Sequence, residues 1–381
     1  MRNGIIEFIK KETVLCAAII LAAVSVFFVP PDREYFTYID FRTLAILFCL
    51  MSVMAGLQKI GLFKWIAKKL LSCVKGGCSL VLILVLLCFF SSMLITNDVA
   101  LITFVPFTFT VLNMLGEDGK KRLLLPVVVM QTIAANLGSM LTPVGNPQNL
   151  YLFGRAGISI SRFLLLMLPY TILSFILLTG WSLIQGSTYS KNLDLAAVTV
   201  EEEILFEKKT KYLLIVYFTL FFLCLLAVGH ILPWQAVLLL VFVIIFVMDR
   251  QAITKVDYSL LFTFAGFFIF IGNVGRIPVF CEFLQEMIGD REVYTAIIAS
   301  QVISNVPAAL LLSGFTEDFS SLIIGTNLGG LGTLIASMAS LISYKYVAKE
   351  AGERKGKYIG LFTAGNVCFL AVLIILNILL R

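Results

Sequence analysis

Four polar interruptions in an apolar chain hold the residues best suited to chemistry. Two are short, Thr96-Asn97-Asp98 and Ser304-Asn305-Val306-Pro307. Two are longer, Asn136-Leu137-Gly138-Ser139-Met140-Leu141-Thr142-Pro143-Val144-Gly145-Asn146-Pro147 and Gly325-Thr326-Asn327-Leu328-Gly329-Gly330-Leu331-Gly332-Thr333. Amide and hydroxyl oxygens, with carbonyls freed where a helix unwinds, are neutral ligands that suit Na⁺, and helix N-termini suit anions. Asp98 is the one carboxylate inside a predicted membrane segment away from its ends. A residue so placed is by default a proton carrier or cation ligand. The competing role for Asn97, Asp98 and Ser304 is N-capping of the arm after each tip. Gly329-Gly330 could equally serve close helix packing.

The surroundings of these residues follow from composition. Of 381 residues, 60% are apolar and 14% charged, against about 25% charged in a soluble domain. That excludes an ordinary soluble enzyme and a disordered chain. The net charge of +6 is expected to orient membrane helices rather than to bind nucleic acid. The eight cysteines form no CxxC pair and read as small buried hydrophobes, and the single histidine, His230, cannot build a metal site. No HExxH, GxSxG or Walker motif occurs, which argues against an enzyme and against a self-contained ATP-driven pump. No cofactor is expected.

Hydropathy predicts nine crossings, over 13–30, 42–58, 122–153, 161–185, 211–230, 233–249, 257–275, 320–344 and 357–380. Basic clusters at Arg2, Lys10 and Lys11, at Lys59 to Lys75, at Lys120 to Arg122, at Lys208 to Lys211, at Arg250 and Lys255, and at Lys345 to Lys357 then fall on one side. The positive-inside rule makes that side cytoplasmic, with the N-terminus inside and the C-terminus outside. This describes an integral protein of the plasma (inner) membrane of a prokaryote. Segment 292–315 is predicted to be a re-entrant hairpin; segment 79–115 is read as one too because its three-residue polar tip leaves little room for an external turn, although two full spans would satisfy the charges equally well. Residues 293–303 reach only about 16 Å as a helix, while the hydrocarbon core is about 30 Å thick. Segments 62–71 and 279–288 read as amphipathic interfacial helices. Lys59 and Arg276, at helix ends, are expected to snorkel to the interface.

Self-comparison reveals an internal repeat. A shift of 217 positions aligns Asp40 with Asp257, Lys59 with Arg276 and Phe63 with Phe280. A shift of 208 aligns Ile95-Thr96-Asn97 with Ile303-Ser304-Asn305, and one of 191 aligns Asn136-Leu137-Gly138 with Asn327-Leu328-Gly329 and Thr142 with Thr333. An odd number of crossings separates the copies, so the second is inverted. The predicted fold is an all-α polytopic membrane protein of inverted-topology repeats, each with a re-entrant helical hairpin and a broken helix. The first repeat covers 1–185 (hairpin 79–115, broken helix 122–153). A cytoplasmic linker at 186–210 and a linking span at 211–230 follow. The second repeat covers 231–381 (hairpin 292–315, broken helix 320–344).

Paired Asn-bearing tips, each followed by a broken helix, resemble the ion transporter superfamily over almost the whole chain. The tips keep the first two residues of the Ser-Asn-Thr signature of divalent-anion/sodium symporters and replace the third with Asp98 and Val306. Asn97-Asp98 and Gly145-Asn146-Pro147-Gln148-Asn149 are similar to arsenite-permease-like carriers. The resemblance implies an elevator-type secondary transporter, with a dimerising scaffold, that moves a small anion with Na⁺ or H⁺. Cation/proton antiport and arsenite or antimonite efflux are the alternatives. Thr96, Asn97, Asp98, Asn136, Gly138, Ser304, Asn305, Thr326, Asn327 and Gly329 are the expected cation-site residues. Asn97, Thr142, Pro143, Gly145, Asn146, Asn305, Val306, Pro307 and Thr333 are expected at the substrate. The two cation sites would flank a central substrate cavity.

Overall fold

The computed structural model describes residues 12–189, 208–289, 291–350 and 354–380. Arg2, Lys10, Lys11 and most of the predicted linker lie outside them. Every regular element among the described residues is an α-helix, as the protein's polytopic membrane character requires.

Five helices are individually long and apolar enough to cross a bilayer: Phe41–Lys59, Gly116–Ser139, Ile160–Ser187, Lys208–Val228 and Lys355–Leu380. The other four predicted crossings are shorter or broken. Thr13–Val26, Trp234–Met248 and Tyr258–Val274 have 14, 15 and 17 residues, and Phe319–Leu328 is separated from Met338–Glu350 by a non-helical break. Gly116–Ser139 breaks in the same way before Pro147–Ala156.

At each predicted hairpin two helices meet at a short break. The first joins Gly77–Ser91 to Asn97–Asn113, and the second joins Glu292–Ile303 to Asn305–Leu312. Their longest arm has 17 residues, about 25 Å of helix. The predicted interfacial helices are Leu62–Leu71 and Pro278–Ile288, and the second bends 105° away from Tyr258–Val274.

Helix Gly116–Ser139 is apolar all round beyond its first turns, and from Leu123 to Ser139 every residue but Pro126 is buried. Such a helix belongs at the centre of a bundle. The first hairpin, Ile160–Ser187, Met338–Glu350 and Lys355–Leu380 pack around it. Leu165, Ile172, Ile176 and Ile184 of Ile160–Ser187 remain exposed, an apolar surface that suits lipid.

A second group of helices shows reciprocal packing. Thr13–Val26 packs on Tyr258–Val274, and Trp234–Met248 packs on Phe41–Lys59. Asp40 and Asp257 cap their helices alike, each carboxylate accepting a main-chain N–H at 3.0 Å from Thr43 and Leu260. Lys59 and Arg276 do not simply snorkel. Lys59 pairs with Asp249 at 2.7 Å, and Arg276 with Asp32 at 2.6 Å. Asp249 lies 217 positions after Asp32, so the two bridges repeat at the offset that relates the lysine and the arginine.

Candidate functional site

Each hairpin tip is pinned to the break that follows it. The Asn97 amide donates to the Gly145 carbonyl at 3.2 Å, and the Asn305 amide to the Ala336 carbonyl at 2.9 Å. The Thr142 hydroxyl donates to the Met93 carbonyl, and the Thr333 hydroxyl to the Gln301 carbonyl at 3.2 Å. Every second-repeat partner is the first-repeat partner displaced by 208 or 191 positions. Two glycines permit the approach. A Cβ at Gly138 would run into the Phe89 carbonyl, and one at Gly329 would sit 2.6 Å from the Ser300 hydroxyl. Freed carbonyls therefore find partners within the protein, the condition for breaking a helix at membrane depth.

Side chains then join the two breaks. Ser337 donates to Asn136 Oδ1 at 3.0 Å, and Asn146 Nδ2 to Asn327 Oδ1 at 3.5 Å. These bonds are also related by the 191 shift. Asn136 Nδ2 donates to the Gly330 carbonyl at 3.4 Å, and Asn327 Nδ2 to Asn149 Oδ1 at 2.6 Å. Asn97 Nδ2 adds the first tip, donating to Asn136 Oδ1 at 3.0 Å. Asn97, Asn136, Asn146, Asn149, Asn327 and Ser337 are all buried. The expected pair of tip-and-break sites thus fuses into one network across the repeats.

Of the tip side chains, only Asn97 satisfies a first-turn amide of its arm. Neither Thr96 nor Ser304 makes a side-chain cap bond to its arm. Asn97 Oδ1 accepts the Asp98 amide at 2.9 Å, and the Ser304 hydroxyl turns towards the Ala336 carbonyl at 3.4 Å. Ser304 has φ +73° and ψ 154°, a conformation costly for a residue with a Cβ. Thr96 has φ −59° and ψ 151°.

Three buried polar atoms here have no protein partner: Asp98 Oδ1, Asn146 Oδ1 and Gln148 Nε2. Buried polar atoms are seldom left this way without a reason. Two oxygens fit a cation or a proton, and one N–H fits an acceptor. Other predicted residues have the following surroundings. Thr326 bonds within its own helix, to the Leu322 carbonyl at 2.8 Å. Val306 and Pro307 are buried at the start of the second returning arm, and Pro143 lies between the Thr142 and Gly145 contacts.

Sequence reasoning missed Gln301, Ser337, Ser139 and Asn149 as network members. Gln301 spans the second break, donating to the Gly329 and Leu331 carbonyls at 3.0 and 2.9 Å. Ser139 accepts Asn146 Nδ2 at 2.8 Å. The 191 shift places Ser337 opposite Asn146 and was sufficient to find it. Asn149 stands in the quoted Gly145–Asn149 motif.

The chain is similar to known membrane proteins. The profile described as citrate transporter matches residues 5–318. An uncharacterized transporter of Methanocaldococcus jannaschii is 31% identical over 90% of each chain. Inner membrane protein YbiR of Escherichia coli is 30% identical over 84% of this chain and 83% of its own. A silicon efflux transporter of Oryza sativa is 32% identical over 38% of this chain and 29% of its own. A polytopic helical chain matched over most of its length by that profile and by whole-length transporter relatives belongs to the citrate transporter family of membrane transporters.

Proposed function

We propose that the protein is a secondary active transporter of a small anion, a carboxylate or an inorganic oxyanion, coupled to Na⁺ or H⁺. The observation that carries this reading is the buried network of tip and break amides with Asp98 Oδ1 and Asn146 Oδ1 left unpartnered. Amide oxygens and one carboxylate meeting at two broken helices suit a coupling cation, as at the midplane sites of secondary transporters. Asn97, Asn136, Asn146, Asn305 and Asn327 hold the cation and complete the substrate site. Gln148 Nε2 supplies a free donor for the anion.

The two hairpins with their breaks form the moving body of an elevator, and the reciprocally packed helices form its scaffold, which dimerises. The protein sits in the plasma membrane of a prokaryote with its N-terminus cytoplasmic and its C-terminus outside. The family description favours a carboxylate such as citrate. A second reading, export of a small oxyacid driven by proton exchange at Asp98, is favoured by the unpartnered Asp98 Oδ1 and by the partial match to a silicon efflux transporter.

The test is uptake by proteoliposomes under separately imposed Na⁺ and H⁺ gradients, with citrate, phosphate and arsenite as probes. Stimulation by one gradient supports coupled transport and identifies the ion. Uptake indifferent to both gradients overturns it. Full coupling in Asp98→Asn removes the exchange reading.

A further inference from the structure

A sizeable cavity lies away from the tips. It measures about 860 Å³ and lies between scaffold helix Phe41–Lys59, interfacial helix Leu62–Leu71 and the first returning arm, Asn97–Asn113. Four lysines line it: Lys59, Lys64, Lys68 and Lys255. They come from three separate elements, and the lining includes no acidic side chain among the described residues. Lys59 is paired with Asp249. Lys64 and Lys255 are exposed. Several like charges converging on one concave wall create a local positive potential that concentrates small anions.

The cavity also leads towards the candidate site. Its wall follows one face of the returning arm through Met114, Thr110, Pro106 and Ile102, about 18 Å of helix. Asp98 lies one further turn along, at the edge of that face. Beyond the cavity's inner end, Leu50, Met51 and Met54 of the scaffold helix face Ile95 and Val99 across an apolar gap of about 20 Å³. That is room for about one water, so only a narrow apolar seam lies between the lysines and the tip. On the other repeat, arm Asn305–Leu312 packs directly on Tyr258–Val274. The lysine-lined cavity thus borders the first arm, while the second arm is covered by its neighbouring helix.

We propose that this cavity is an anion-collecting vestibule in which Lys64 and Lys255 hold a small polyanion on the approach to the first tip. This rests on the small-anion reading above and adds the residues that gather the anion. The shared chemistry is that of carboxylate and phosphate groups, whether on a free solute or on a lipid headgroup.

The test uses Thr110→Cys in a full chain with exposed Cys73 and Cys368 replaced by serine, and the same chain without Thr110→Cys as background. Its readout is the rate of modification by anionic sulfonatoethyl and cationic trimethylammonioethyl methanethiosulfonate, each relative to its rate with a small free thiol. The normalised anionic-to-cationic ratio is expected to be about tenfold above one at low salt. It should fall several-fold in Lys64→Gln/Lys255→Gln and be retained in Lys64→Arg/Lys255→Arg. Citrate or phosphate should slow modification in vesicles of phosphatidylcholine alone. A ratio at or below one, or one indifferent to the glutamine pair, overturns the vestibule. Protection that appears only when phosphatidylglycerol is added assigns the lysines to lipid and overturns it as well. Failure of both gradients to drive uptake overturns coupled transport and leaves the reagent ratio where it was.

Discussion

The two repeats make the same main-chain contacts and set different side chains on them. Each tip amide reaches the equivalent carbonyl, Gly145 or Ala336, and each break threonine reaches the equivalent arm carbonyl. Asn97 then extends its amide to Asn136, while the described bond of the Asn305 side chain is only to neighbouring Ser304 at 3.5 Å. The first arm borders the lysine-lined cavity, whereas the second packs on its scaffold helix. Backbone pairing preserves the frame of a two-fold design, and side-chain identity and arm packing distinguish the halves. In a device that alternates between two openings, the frame must be common and the occupied side must differ.

The largest expected effect tests the frame. Gly138→Ala places a methyl against the Phe89 carbonyl, a main-chain atom that moves only with its helix. Gly329→Ala meets the Ser300 side chain, with Oγ at 2.6 Å and Cβ at 2.7 Å. Overpacking a tight helix contact costs about 1–3 kcal/mol and occasionally more. Gly138→Ala is expected at or beyond the top of that range, with loss of monodisperse protein on size exclusion. Gly329→Ala is expected near the bottom, and Ser300→Gly should rescue it. Equal losses, or no rescue, would break the comparison.

A second pair separates stability from transport. Asn97→Leu removes a donor from buried Asn136, so about 1–2 kcal/mol is expected to be lost, as for a buried group left short of a partner. Asn305→Leu should cost less, because no described bond links its side chain to the breaks. Both tips belong to the proposed cation site, so gradient-driven uptake should fall at least about tenfold in each, the equivalent of about 1.4 kcal/mol. Melting temperatures that differ while uptake falls alike support paired roles. Full uptake in Asn305→Leu would confine function to the first repeat.

The halves were legible in the sequence to different depths. Nine apolar stretches, two hairpins and the breaks can be located because apolar runs and polar interruptions are local signals. The shift that matched Lys59 to Arg276 also matched Asp32 to Asp249, so both ion pairs were implicit there. Helix ends alone pointed instead to snorkelling. The bonds joining Asn146 to Asn327 and Ser337 to Asn136 are contacts between distant segments, and an apolar chain offers no periodicity that specifies them. The lysine-lined cavity was hidden for the same reason, since its lysines read only as topology signals until distant segments converged.

A smaller effect of opposite sign in the two halves is expected at the residue before each tip asparagine. Ser304 holds φ +73°, where glycine pays no Cβ penalty, so Ser304→Gly should raise stability by about 1 kcal/mol. Thr96 is at φ −59°. Thr96→Gly should lower stability by about 0.5–1 kcal/mol through the added freedom of the unfolded chain. Thermal melts of the two variants check the signs. Destabilisation by Ser304→Gly would mean that the hydroxyl's contact with the Ala336 carbonyl outweighs the strain.

The smallest expected difference lies between the reciprocal ion pairs. Asp249 is only 10% exposed and also accepts the Tyr217 hydroxyl at 3.1 Å. Lys59→Gln leaves that carboxylate with one donor and should cost about 1 kcal/mol. Asp32 and Arg276 are each 39% exposed, so solvent screens their attraction and the loss in Arg276→Gln should be smaller and shrink with salt. The hydrogen bond from Arg276 holds the Asp32 carboxyl below its ordinary range. A carboxylate depressed in the folded state stabilises it above the unfolded pKa, about 3.9, and loses that contribution as pH falls through the folded value. The melting difference between the parent and Arg276→Gln should therefore be present at pH 7 and narrow progressively below about pH 4. A difference that persists unchanged in acid would mean that Arg276 acts through the neutral Tyr38 hydroxyl, 3.1 Å away, rather than through Asp32.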